Sequence, residues 1–192
     1  MKKIRGAEAV VSIEDDKVVK DRVEKGYRHE SIDERLRSER TETETRLMEK
    51  ADKYGANVPE ILDVENSKIE MENIEGVLLK EKIESKPEIM EEVGENVARI
   101  HSAEIIHGDL TTSNIKISDG EAYLLDFGLS FSSDRIEDKA VDIHLLKQVL
   151  ESSHPEVAEK GWNFFKEGYE SYEKSGEVLD QLKEVEKRGR YK

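Results

Sequence analysis

Two polar turns constrain this chain more than anything else in it: HGDLTTSN, His107 to Asn114, and DFG, Asp126 to Gly128. Between them lie two short β-favouring runs, Ile115-Lys116-Ile117 and Ala122-Tyr123-Leu124-Leu125, which flank the hairpin turn Ser118-Asp119-Gly120. Asp109 stands five residues before Asn114, and Asp126 opens a tight turn directly after an apolar strand. Phosphoryl transfer asks little covalent chemistry of a protein. It needs a carboxylate to orient or deprotonate the attacking oxygen, and oxygen ligands to hold magnesium against phosphates. Asp109, Asn114 and Asp126 are of the right types. Either turn alone is an ordinary loop, but the pair in this order and spacing is far more specific.

The rest of the chain divides around these turns. Ala9 to Ile13 and Lys17 to Lys20 are short strand runs separated by Glu14-Asp15-Asp16, and two more fall around Ile61-Leu62 and at Lys68 to Met71. Ser31 to Tyr54 is helical, with charges at helical spacing (Arg35 with Glu39, Glu42 with Arg46) on a solvated face. Glu44 differs from them. It shares a stripe with Leu47, Met48 and Ala51, at i, i+3, i+4 and i+7, which should pack inward. A carboxylate there needs a cationic partner, because burying it unpaired costs several kcal/mol. Lys20 on the preceding strand is the candidate.

Beyond a break at residues 72–76, helix signals dominate. Pro87 opens a helix with Val93, Val97 and Ile100 on one side, ending near His101, and further helices run from about Asp138 to Glu151, Pro155 to Tyr172 and Glu177 to Lys187. Residues 1–74 thus form a small β-rich N-terminal lobe with one helix, and residues 75–192 a minimal, mainly helical C-terminal lobe. Trp162, Phe164, Phe165 and Tyr169 lie at helical spacing and read as core or a partner-facing surface, and His101 as a core histidine.

Composition narrows the setting. The chain has 192 residues and no cysteine, so disulfides, thiolate chemistry and Cys-based zinc sites are excluded and a reducing, cytoplasmic compartment is expected. No stretch approaches the roughly 20 apolar residues that span a bilayer, so an unprocessed protein without membrane contact is expected. Charged residues make up 40% of the chain, a balance that points towards a thermophile. A net charge of -14 opposes coating by nucleic acid over the whole surface. The last ten residues, KEVEKRGRYK, nevertheless make a basic end on an acidic body.

Taken together, the turns resemble the protein-kinase-like superfamily, whose catalytic loop reads HRDxxxxN and whose metal-binding turn reads DFG. That resemblance implies a two-lobed α+β kinase-like fold that binds ATP and Mg2+. It implies Lys20 as the strand lysine on the nucleotide phosphates, Glu44 as its helix partner, and Asp109 as the catalytic aspartate, with Asn114 and Asp126 on the metal. It also implies Met71, Glu72 and Ile74 in a hinge whose backbone meets adenine, Val11 and Val18 sandwiching the base, and Gly6 in the nucleotide-covering loop. The departures matter as well. Gly6 stands alone beside Glu8 where GxGxxG is usual, Gly108 replaces the arginine of HRD, and no APE follows DFG, so the platform that grips a peptide is largely missing.

HGD with Asn five residues on also occurs in aminoglycoside and choline phosphotransferases, which carry a larger helical lobe, and a small-molecule phosphotransferase is the alternative reading. A non-catalytic ATP-binding scaffold is another. A fuller resemblance runs through GAEA (Gly6 to Ala9), KGYRH (Lys25 to His29), RTETETR (Arg40 to Arg46), MENIEG (Met71 to Gly76), HGDLTTSN, LLDFGLS (Leu124 to Ser130) and EDKAVDIHLLKQ (Glu137 to Gln148). In these the chain resembles the small atypical kinase/ATPase subunit family of the KEOPS (EKC) complex, relatives of the RIO kinases, and an archaeal member of it. The resemblance implies an ATPase or atypical serine/threonine protein kinase working beside an ASKHA-fold subunit and other KEOPS subunits. Together these attach threonylcarbamoyl to adenosine in tRNAs reading ANN codons.

Ser130, Ser132 and Ser133 are candidate phosphate acceptors in cis, or simply an ordinary polar turn. Arg188, Arg190 and Lys192 resemble the family's basic terminus, associated with the active-site cleft and with tRNA. Asp142 resembles the buried aspartate that braces the catalytic loop.

Overall fold

The computed structural model describes every residue except 1, 7, 15 and 190–192, so Ala7, Asp15, Arg190 and Lys192 lie outside the described residues. The chain opens with β1 (Lys2–Arg5), β2 (Ala9–Ile13) and β3 (Lys17–Arg22), then the long helix α1 (Glu30–Lys53), then β4 (Ile61–Glu65) and β5 (Lys68–Glu72). These strands form one antiparallel sheet in the order β1-β2-β3-β5-β4. Its register pairs Val11 with Lys20, Val18 with Met71 and Lys20 with Ile69. Partners in an antiparallel ladder share a face, and so do residues two apart along a strand. One face therefore carries Val11, Val18, Lys20, Arg22, Ile69 and Met71.

Helix α1 presents Glu44, Leu47, Met48 and Ala51 as buried residues, the stripe expected from their spacing. Arg35 pairs with Glu39 across its solvated side, whereas Glu42 accepts a hydrogen bond from Ser38 Oγ at 3.4 Å instead of pairing with Arg46. Strand β1 was not expected. Its sequence, KKIR, carries one apolar residue, and its pairing partner Ala9–Ile13, not its own pattern, specifies it.

Past β5 the chain turns through Asn73, Ile74 and Gly76. Asn73 donates its side-chain amide to Glu14 O at 3.1 Å, and Ile74 is buried. Gly76 has φ 146°, and a Cβ on it would lie 2.1 Å from Ile117 O, so no other residue fits this crossing without displacing backbone. There follow β6 (Val77–Leu78), the single-turn α2 (Leu79–Lys82), a 3-10 turn at Pro87–Ile89 and α3 (Met90–Ser102). Next come β7 (Ile105–Ile106), β8 (Ile115–Ser118), β9 (Glu121–Leu124), β10 (Phe131–Ser132) and the helices α4 (Ile136–Ser153), α5 (Ala158–Tyr169) and α6 (Ser175–Gly189). Pro87 starts a 3-10 turn and not the helix itself, and Pro155 lies before α5, consistent with proline's missing N–H.

Two glycines set the helical packing. A Cβ on Gly94 of α3 would fall 2.1 Å from Phe165 O, and one on Gly168 of α5 would fall 2.0 Å from Glu91 O. The two backbones touch there, which lets Phe165 and Tyr169 reach the core in a stack with Trp162, at centroid separations of 4.9 and 5.6 Å. Asn96 on α3 accepts from Asn57 N and donates to Asn57 O and Ala122 O, tying the loop before β4 to β9. Helix α6 packs Val178 and Leu182 inward, and its basic residues are paired: Lys183 with Asp180, Lys187 with Glu184, and Arg188 with Glu137 at 2.6 Å.

Candidate active site

Lys20 comes from the middle of β3, where alternation points it to the inner face with Arg22. Its Nζ lies 2.6 Å from Glu44 Oε1 and 2.7 Å from Asp126 Oδ1. Arg22 Nη2 lies 2.5 Å from Glu44 Oε2, so each oxygen of this carboxylate, 2% exposed as a residue, meets a cation. Such an arrangement answers the cost of burying an anion. Sequence reasoning placed Lys20 beside Glu44 but missed Arg22. The signal was available, since two residues apart on a strand means the same face.

The HGD loop and the DFG turn meet because β8 and β9 fold back on each other. Leu125 donates its N–H to Asn114 O at 2.8 Å, and its carbonyl accepts from His107 Nε2 at 2.9 Å. Both bonds act on the residue just before Asp126. A carbonyl can only accept, so the His107 proton sits on Nε2, and Nδ1 is left to accept from Asp109 N at 3.3 Å. Asn114 Nδ2 donates to Asp109 O at 2.9 Å and Asp109 Oδ2 at 2.8 Å, which turns its own carbonyl oxygen away from Asp109.

Asp126 takes φ 58°, a left-handed conformation that is uncommon outside glycine and concentrates at functional turns. Its side chain is 54% exposed. Burial works to raise its carboxyl, but the Lys20 ammonium and the Gly128 N–H outweigh that and hold it below the ordinary carboxylate range. The donor set is a carboxylate and an amide carbonyl. It is all oxygen and partly open, and it fits a hard divalent cation such as magnesium, which keeps waters and shares phosphates instead of filling a protein cage. Among the described residues no cluster of three or more His, Asp or Glu side chains stands ready to hold a metal alone.

A buried chain of hydrogen bonds supports the loop from beneath. Asp142 on α4 accepts His107 N at 2.8 Å and Gly108 N at 2.9 Å, and its Oδ2 lies 3.2 Å from His101 Nε2. His101 Nδ1 lies 2.7 Å from the Tyr169 hydroxyl. Burial opposes the Asp142 charge, but the hydrogen bond from His101 and the backbone donor overcome it, and its carboxyl is lowered. Burial likewise lowers His101 and raises Tyr169. Tyr169 O–H therefore donates to His101, and His101 N–H donates to Asp142. The sequence suggested Asp142 as the brace; His101 and Tyr169 stand 68 residues apart and gave no local sign of their contact.

Gly108 has a physical reason to replace arginine. Its φ is 80°, and a Cβ would lie 2.4 Å from Leu129 O, because the segment after DFG passes directly over it. In that segment Ser130 is buried and donates Oγ to His107 O at 2.8 Å, while Ser133 donates to Asp138 Oδ2 at 2.6 Å. Of the three candidate acceptors, Ser132 is the exposed one.

Gly6 is exposed, with its N–H on Ala9 O, and Val11 and Val18 are half-buried on the inner sheet face. Met71 and Ile74 are buried, whereas Glu72 is exposed. The N–H groups of Glu72 and Asn73 are engaged by Glu60 O and Asp16 O. Glu8, which would face phosphate unfavourably, is held by Arg40 at 2.7 Å and Lys25 at 3.5 Å.

An antiparallel sheet with one helix, an inward strand lysine bridging a helix glutamate and the DFG aspartate, and a helical second half define a protein-kinase-like fold. Within that class the chain belongs to the RIO domain family, whose model matches residues 7–158. Its relatives include the KEOPS complex subunit Bud32 of Pyrococcus abyssi, 42% identical over 185 residues that cover 91% of this chain and 84% of that protein. A probable bifunctional tRNA threonylcarbamoyladenosine biosynthesis protein of Methanosarcina barkeri is 45% identical over 192 residues, 97% of this chain. That relative is longer, and the match spans 35% of it. Among solved structures, the Rio2 kinase–ADP/Mg2+–phosphoaspartate complex from Chaetomium thermophilum matches with TM-score 0.62. It covers 100% of this chain and 71% of that one at 13% identity, and the likeness is one of fold. No helix among the described residues is long and apolar enough to cross a membrane.

Proposed function

We propose that the chain is the ATP-consuming, atypical kinase component of a KEOPS-type complex that supports threonylcarbamoyladenosine formation in tRNA. The observation that carries this reading is the convergence of Lys20, Glu44, Asp126, Asn114 and Asp109 within a chain that also matches Bud32 across most of both lengths.

In this reading residues 1–74 and 75–192 are two lobes that enclose the nucleotide. Lys20, oriented by Glu44, holds the phosphates, and Gly6, Val11, Val18 and the Met71 to Ile74 connection surround the base. With the Glu72 and Asn73 amides already engaged, adenine would meet Ile74 or the carbonyl side of that connection. Asp126 and the carbonyl of Asn114 would hold Mg2+, which when bound neutralises phosphate charge. Asp109, its carboxylate fixed by the Asn114 amide, orients the attacking oxygen.

Water is the favoured acceptor, because the segment from Gly128 to Ile136 is short and offers little to grip a peptide. If a serine accepts phosphate in cis, exposure favours Ser132 over Ser130 and Ser133. An ASKHA-fold subunit and tRNA are the proposed partners, the latter approached through Arg188, Arg190 and Lys192, in a cytoplasmic setting. The test is reconstitution with the partner subunits and unmodified tRNA, comparing wild type with Asp109→Ala. Modified adenosine, measured by mass spectrometry, is expected to fall sharply in the variant. Equal modification by a folded Asp109→Ala protein would leave only a scaffold role.

A further inference from the structure

Arg22 has no part in the roles proposed above, yet it is 5% exposed and grips Glu44. Its Nε is buried and has no hydrogen-bond partner among the described residues. A Cβ placed on Gly128 would lie 3.0 Å from Lys20 Nζ and 3.7 Å from Arg22 Nη2, so both cations border the DFG turn.

Lys20 faces conflicting demands. Its ammonium sits 2.7 Å from Asp126 Oδ1, and a divalent cation on Asp126 would repel it from there. A phosphate arriving with that cation would attract it instead. Lys20 must then leave Asp126 and share itself between Glu44 and the phosphate. Were Lys20 the only counter-ion of a buried carboxylate, Glu44 would hold it back, since a buried charge left without compensation is strongly unfavourable. Arg22 occupies the opposite oxygen of Glu44, and its guanidinium is weakly hydrated and always charged, which suits a permanent buried counter-ion.

We propose that Arg22 is a positioning residue that keeps Glu44 fixed and charge-balanced, so that Lys20 is free to exchange Asp126 for the phosphates of the incoming metal–nucleotide. The proposal rests on the reading of Lys20 as the phosphate-binding lysine. It predicts a division between ligands. Ligands with phosphates depend on Arg22, and a nucleoside without them does not.

The experiment measures binding of MgATP and of adenosine by calorimetry to the whole chain, as wild type, Arg22→Met and Lys20→Met. Arg22→Met is expected to weaken MgATP about tenfold or more while adenosine changes by no more than about twofold. Should Arg22→Met fail to fold, Arg22→Gln keeps a neutral donor towards Glu44 and reads the same ratio. Equal weakening of both ligands, or no weakening of MgATP, overturns the proposal. The underlying reading has its own outcome. If Lys20→Met leaves MgATP and adenosine in the wild-type ratio, the role of Lys20 itself is wrong; if Lys20→Met selects against MgATP and Arg22→Met does not, only the role of Arg22 falls.

Discussion

Lys20 Nζ stands 2.7 Å from Asp126 Oδ1, joining residues 106 apart and pinning the DFG turn against the sheet. This contact closes the site across the sheet and the β8–β9 hairpin. In the proposed reading, the cation that would hold phosphate therefore occupies part of the carboxylate that would hold metal. In Lys20→Met the Asp126 carboxyl loses the charge that holds it down. Its titration, followed by carbon NMR of the aspartate carboxyls, is expected to move up, since burial then acts against less compensation, and an unmoved signal would mean that Lys20 does not set it.

Asp142 accepts two backbone N–H groups and the His101 ring, so removing it orphans several buried donors at once. Asp142→Ala is expected to lose about 2–5 kcal/mol of stability in urea unfolding and most of the ATP turnover. A variant with wild-type stability would show that the brace carries no load. Tyr169→Phe removes only the outermost donor and should cost about 1 kcal/mol with turnover largely kept.

The contact between α3 and α5 makes a sharp prediction about glycines. Gly168→Ala puts a methyl 2.0 Å from Glu91 O and forces the helices apart, and a loss of about 2 kcal/mol or more is expected in thermal or urea unfolding. Gly176→Ala on α6 meets nothing within 4 Å and should instead stabilise by up to about 1 kcal/mol. Similar effects from both would contradict the packing described.

Acid should weaken the sheet through Glu70. Hydrogen bonds from Lys17 and Lys68 hold its carboxyl down at about 2, against 4.5 for an unperturbed glutamate. The unfolded chain therefore binds the extra proton first as pH falls. The contribution of Glu70 is complete above about 4.5 and is lost on descent towards about 2. Glu70→Gln should show a shallower fall in stability across that window. An unchanged slope would mean the pairing does not differ between folded and unfolded chains.

Much of this was legible in the sequence, for reasons that can be named. The 3.6-residue stripe of α1 singled out Glu44, and alternation along β3 faced Lys20 towards it. The spacing of Asp109, Asn114 and Asp126 survived because a hairpin with a fixed turn separates them. What could not be read depends on long-range contact. The two-residue strands β6, β7 and β10 have no period of their own and exist only through their partners. The His101–Tyr169 bond needs α3 and α5 in register, and the pairing of Arg188 in the basic end of α6 with Glu137 spans 51 residues and leaves no local sign. Gly108 could be seen as a departure from HRD, but its cause, the passage of Leu129 O overhead, appears only in three dimensions.

In the proposed reading Asp109, Asn114, Asp126 and Lys20 form one phosphate-transferring centre. The most direct measurement follows the γ-phosphate of labelled ATP with wild type and Asp109→Ala, with and without the proposed partner subunit and tRNA. Release mainly as inorganic phosphate is expected, increased by partner and tRNA and abolished in the variant. Full turnover by a folded Asp109→Ala protein would contradict it.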